Sequence, residues 1–175
     1  MNIGETREKI EEALDIYRSR LDTIPDDLFT VTPPGGGWSY AEVYSHILQT
    51  DLGGMMALEK CARNGKPTSA GRNMLGLMVF LFGSLPPWKT KVPAAIDARI
   101  PAKKITKEEA RNMLIKCRQR ISELTPLLHD SSKYCRVRHA RLGMLNARQW
   151  FKFILIHSKH HLKQLDRVEK KLQPQ

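Results

Sequence analysis

The run FILIHSKHHLKQLDRV, residues 153–168, decides how the chain is read. Phe153, Ile154, His157, His161, Gln164, Leu165 and Val168 recur at helical spacing. With Trp150 just upstream, they fall within roughly 60° of one direction at about 100° per residue. Lys152, Lys159 and Lys163 point elsewhere, so the opposite face is the solvated one. His157 and His161 are therefore stacked one turn apart, separated by about 40° around the axis, and can hold one metal ion. Imidazoles on an apolar stripe enter a core, and losing their hydration costs energy unless both nitrogens of each ring find partners. A metal supplies one partner to each ring. Separate hydrogen bonds are the alternative, because this spacing also arises by chance. His160 lies about 60° to the side of His157 and is worse aligned with His161 as a chelating pair.

Working outward, Asn146 followed by Gln149 forms a helix start, with Leu145 and Trp150 placed to staple it, so the last helix is predicted to run to about Leu172. Three more helices precede it. Ile10, Ala13, Leu14, Tyr17, Leu21 and Ile24 give the first, over 6–24, a buried stripe that stops at Pro25. The loop VTPPGGGW then leads to Ser39 and Glu42, a capping box stapled by Trp38 and Val43. That second helix runs through His46 to about Arg63, where Asn64 and Gly65 form a stop. Thr106 and Glu109 repeat the capping box, and Met113, Leu114, Cys117, Ile121, Leu124 and Leu128 form the stripe of the third.

The connection over 66–105 is too long for a turn and contains Pro67, Pro86, Pro87, Pro93 and Pro101. The segment 129–145 reads as a loop, and no strand of convincing alternation separates the helices. The expected fold is all-α, an antiparallel four-helix bundle with a long crossover connection between helices two and three, forming a single domain over residues 1–175.

A chain of 175 residues can bury a core without disulfide staples. Cys61, Cys117 and Cys135 are odd in number and far apart, which argues against a disulfide framework or a cysteine zinc site; each is read as packing. A reducing cytoplasm fits, and the N-terminus predicts no signal peptide. The most apolar run, Met74 to Phe82, is nine residues long, too short for a transmembrane segment at roughly 18 or more. It is expected to fill the core or cover a pocket, with a surface anchor or partner-binding patch as the alternative. A net charge of +11 invites nucleic acid or an anionic membrane. The Lys and Arg residues are scattered, however, with little aromatic interleaving, so a solvated surface is the simpler explanation.

Two ligands rarely hold a metal, and a third should come from another helix. His46 is the only histidine in the first three helices. Thr50, Gly53 and Ala57 lie within about 40° of it, a small-residue face that permits either close helix packing or a cavity beside a ligand. No carboxylate is assigned as a general base: Glu42 is explained by the capping box, and Asp51 points about 140° away from His46.

The segments GWSYAEVYSHILQTD, residues 37–51, and LGMLNARQWFKFILIHSKHHLKQLDRV, residues 142–168, together resemble the DinB/YfiT-like superfamily. The likeness spans nearly the whole chain from helix two to helix four. It implies a DinB-like four-helix bundle with a three-histidine site, in which His46, His157 and His161 are the metal ligands and Gln164 is the matching glutamine. HARLGMLNARQW also resembles a lead-in of one branch, but Ala140 and Leu142 replace its proline and phenylalanine, which leaves His139 without an assigned role.

The resemblance implies a cytoplasmic bacterial metal-dependent enzyme, a hydrolase or a thiol-dependent transferase, acting on a small-molecule substrate with a low-molecular-weight thiol as a candidate partner. It permits a homodimer. Nitrogen ligands favour zinc or nickel over magnesium as the divalent cofactor, with one coordination position left open. Two readings from other classes stand beside it: a non-catalytic metal-binding or stress-response protein, and a basic protein that binds nucleic acid or anionic membrane.

Overall fold

The computed structural model describes residues 2–86 and 102–172. Of the prolines in the long connection, Pro87, Pro93 and Pro101 lie outside these residues. The described chain is mostly helical: α1 (Ile3–Thr23), α2 (Asp26–Phe29), α3 (Tyr40–Asn64), α4 (Met74–Phe82), α5 (Lys107–Leu124) and α6 (Ala147–Leu172). A 3-10 turn (Pro126–Leu128) follows α5, and two strands, β1 (Arg136–His139) and β2 (Gly143–Asn146), precede α6. None of the described helices is long and apolar enough to cross a membrane.

The long helices begin where their capping chemistry dictates. Asn2 caps α1, earlier than the periodicity alone indicates, by accepting the Glu5 amide at 3.2 Å. Ser39 and Glu42 make both arms of a capping box at α3, as do Thr106 and Glu109 at α5. At α6 the Asn146 side chain accepts the Gln149 amide at 2.9 Å, and the Asn146 amide donates to Gln149 Oε1 at 3.0 Å. Gly65 ends α3 in extended backbone rather than a left-handed turn. Glycine is needed there for close approach, since a Cβ would lie 2.7 Å from that of Cys135.

The four long helices form a ring in which α1 and α3 each pack on both α5 and α6. Tyr17, Tyr44, Phe151, Ile121 and Leu58 are among the fully buried side chains at its centre. Residue pairs fix the sense of each neighbour. Arg118 pairs with Asp15 and Arg111 with Asp22, so α5 runs against α1. Asp51 meets His157 and Gly54 meets Ile154, so α3 runs against α6. Tyr17 meets Ser158 while Arg20 pairs with Asp166 and Glu169, so α1 and α6 run the same way. Ser45 meets Lys103 while Glu59 pairs with Arg120, so α3 and α5 do too. The expectation of an antiparallel bundle is thus corrected for two of the four contacts. Hydrophobic stripes reveal which face is buried, not the direction of the neighbour.

The segment read as a loop holds an antiparallel hairpin with Val137 opposite Leu145 and His139 opposite Gly143. Its strands are four residues each, too short for a readable alternation. The apolar run is α4, and it fills the core only in part. Val79 and Phe80 are buried, whereas Met74, Leu81 and Phe82 are exposed.

Candidate metal centre

The caps of α3 and α6 set the rotational phase of both helices, and because these helices run oppositely, the second turn of α3 lies beside the middle of α6. His46, His157 and His161 meet there. His157 and His161 are buried at 5% and 7% exposure, and His46 is half-buried. The ring centroids of His46 lie 5.5 Å from His157 and 4.9 Å from His161. One nitrogen of each ring lies within 4.8 Å of the other two, a group of the kind that holds a metal ion. The Nε2 atoms of His157 and His161 are 3.1 Å apart.

The remaining nitrogens of the buried pair are engaged. His161 Nδ1 lies 2.6 Å from Gln164 Oε1, an acceptor that calls for a proton on Nδ1 and turns the Nε2 lone pair inward. His157 Nδ1 lies 3.1 Å from Asp51 Oδ1. Asp51 Oδ2 accepts the Ser158 hydroxyl at 2.9 Å. Burial pushes both histidines well below the usual imidazole range, with neighbouring histidines adding to the effect, so both are neutral and fit to ligate. Burial also pushes the Asp51 carboxyl well above the usual carboxylate range, against the opposing pull of Ser158.

These donors fit a transition metal. Two nitrogens bound to one tetrahedral zinc at about 2.0–2.1 Å are about 3.3 Å apart, close to the spacing of the Nε2 atoms. Aromatic rings cover the flanks: Phe153 stacks on His157 at 5.4 Å, and Trp38 lies 4.9 Å from His46.

Asp51 is the residue that sequence reasoning passed over. It points away from His46, but it reaches across to α6. The signal was present in its spacing: Asp51 lies on the same stripe as Ile47, Met55 and Leu58, all buried, where a carboxylate needs a reason.

The other candidates separate cleanly. His160 is half-buried, with its ring 5.1 Å from His161, and stands outside the converging group. His139 closes the hairpin: its Nδ1 accepts the amides of Arg141 and Leu142, both at 3.1 Å, and its ring packs on Phe153 and Trp150. Burial and Arg141 lower its pKa to about 4. Glu42 is occupied in the cap, accepting the Ser39 amide at 2.9 Å. Burial raises the Cys61 thiol to about 11 and the Cys117 thiol further, so neither is a ready thiolate.

A profile of the DinB superfamily matches residues 9–165, nearly the whole chain. The chain belongs to the DinB superfamily. Solved structures agree on the fold. The four-helix bundle protein TT2238 superposes with a TM-score of 0.61 at 15% identity, over 95% of this chain and 99% of that one. YfiT from Bacillus subtilis, described as a probable metal-dependent hydrolase with an unusual four-helix bundle topology, gives 0.64 at 12% identity, over 97% and 87%. A mycothiol-dependent maleylpyruvate isomerase gives 0.58 at 12% identity. The match covers 96% of this DinB-superfamily chain but 61% of the isomerase. No curated protein sequence matches the chain. At these identities the structural likeness shows a shared fold.

Proposed function

We propose that this DinB-superfamily protein is a metal-dependent enzyme whose His46, His157 and His161 hold one divalent transition ion, zinc or nickel. The observation that carries the reading is the convergence of three histidines from two helices, two of them facing each other Nε2 to Nε2 at 3.1 Å. A divalent ion with three protein ligands keeps a position for a small exchangeable ligand and acts there as a Lewis acid.

The chain's own residues prepare that position. Gln164 and Asp51 orient the two rings on α6, Phe153 stacks on His157, and Trp38 packs on His46. The small face of α3 beside His46, formed by Thr50, Gly53 and Ala57, is half-buried rather than sealed, which leaves an approach for a substrate. The resemblance to a protein described as a probable metal-dependent hydrolase supports hydrolysis, and that to a mycothiol-dependent isomerase supports a small thiol as co-substrate.

The wider architecture belongs to the same reading. We read residues 1–175 as one domain with a crossover connection between α3 and α5, a reading supported by the two helices running the same way.

Elemental analysis of protein purified without a histidine tag or added metal tests the site. Near-stoichiometric zinc or nickel is expected in the wild type and none in His161→Ala. Equal metal content in the two proteins sinks the assignment.

A further inference from the structure

Asp51 is the only buried carboxylate among the described residues, with 1% exposure, and it sits at the centre of the bundle. Among those residues no Lys or Arg pairs with it: its side-chain partners are the His157 ring, through Nδ1, and the Ser158 hydroxyl. Buried carboxylates are normally matched by a cation or a metal centre. Here the route to a positive charge runs through one imidazole, from Asp51 Oδ1 to His157 Nδ1 and on to the Nε2 that faces His161. The arrangement has a specific geometry. The Ser158 hydroxyl lies 2.9 Å from both Asp51 Oδ2 and the Ile154 carbonyl and shares its one proton between them, and the Ser158 carbonyl accepts the Tyr17 hydroxyl at 2.8 Å. Asp51 is thereby tied to the backbone of the turn that carries His157.

We infer that Asp51 is a positioning residue for the metal: its carboxylate accepts the Nδ1 proton of His157, directs Nε2 at the ion, and supplies the buried negative charge that offsets the dication. The inference rests on the metal reading of the three histidines and goes beyond it. It assigns a fourth functional residue that never touches the ion, and it makes the charge of Asp51, not its volume, the reason a carboxylate occupies a core position.

The test compares wild type and Asp51→Asn for zinc affinity, by competition with a chromophoric chelator, and for thermal stability without metal. The zinc dissociation constant is expected to rise 10- to 100-fold with stoichiometry still one, as when other outer partners of metal-bound histidines are removed. The metal-free variant is expected to be at least as stable as metal-free wild type, since the amide can keep both hydrogen-bond contacts without burying a carboxyl that lacks a cationic partner. A purely structural Asp51 gives the reverse pattern, unchanged affinity and lowered metal-free stability, and that overturns the inference.

Imidazole nitrogen NMR of zinc-loaded wild type supplies a readout that needs no variant: His157 should show a protonated Nδ1 and a metal-bound Nε2. Coordination through Nδ1 also overturns it. If wild type takes up no zinc, the metal reading itself fails; if wild type binds and Asp51→Asn binds as tightly, only the role of Asp51 fails.

Discussion

The Nε2 atoms of His157 and His161 face each other at 3.1 Å across one turn of α6, both within a core. A cation that binds this folded arrangement and not the unfolded chain must stabilise the fold by mass action. Zinc at about 100 times its dissociation constant should add about 2.7 kcal/mol. For a chain of this size that is a rise of roughly 5–10 °C in Tm. Thermal unfolding with zinc or with a chelator measures it, and His161→Ala should lose the increment. An equal rise in the variant would place the bound zinc elsewhere.

Glu42 separates a capping role from a catalytic one. Its carboxylate accepts both the amide and the hydroxyl of Ser39, at 2.9 and 2.7 Å, one turn before His46. Ser39→Ala should therefore cost about 0.5–2 kcal/mol, read as a shift in the urea midpoint. Glu42→Gln should cost less, because the amide keeps an acceptor oxygen, and metal content should be unchanged in both. Loss of metal from Glu42→Gln would mean that this carboxylate belongs to the site after all.

Much of this was written in local chemistry. Ser39 with Glu42, Thr106 with Glu109 and Asn146 with Gln149 locate three helix starts, because a cap is settled by residues three apart. His46, His157 and His161 could be placed near each other because each lies on a helix face whose burial the neighbouring residues reveal. Asp51 is not legible as part of the site because it projects about 140° away from His46 on α3, yet both side chains reach the same His157 ring on α6. The parallel courses of α1 with α6 and of α3 with α5 depend on pairs such as Arg20 with Asp166, and periodicity within one helix carries no trace of them. The exposure of Leu81 and Phe82 runs against the hydrophobic ranking, which predicts burial only on average.

Gly76 joins α4 to the hairpin, and this contact tolerates no side chain. A Cβ there would lie 2.3 Å from the Leu142 carbonyl oxygen, a backbone atom that cannot swing aside. Asn73 adds to the constraint by capping the same turn, accepting the Gly76 amide at 2.8 Å. Gly76→Ala should destabilise by about 1–3 kcal/mol despite the higher helix propensity of alanine. The damage should be local. Hydrogen exchange is expected to quicken in α4 and β2 while α3 and α6 keep their protection; uniform quickening would show that α4 is part of the cooperative core.

Tyr17 links α1 to the helix that carries the histidine pair. Its hydroxyl, fully buried, donates to the Ser158 carbonyl at 2.8 Å, next in sequence to His157, and its ring meets Tyr44 edge-on at 5.7 Å. Tyr17→Phe keeps the ring and removes only the hydroxyl, so the variant isolates one hydrogen bond. The loss should be about 1–2 kcal/mol, within the range for a buried bond whose acceptor is left short of a partner. Urea unfolding should show a lower midpoint with an unchanged slope, since the surface exposed on unfolding is the same. Zinc stoichiometry should stay at one, because the imidazoles of His157 and His161 are held by Asp51 and Gln164 rather than by Tyr17. An unshifted midpoint would mean that water replaces the hydroxyl without cost, and that α1 holds α6 through apolar packing and the Arg20 ion pairs alone.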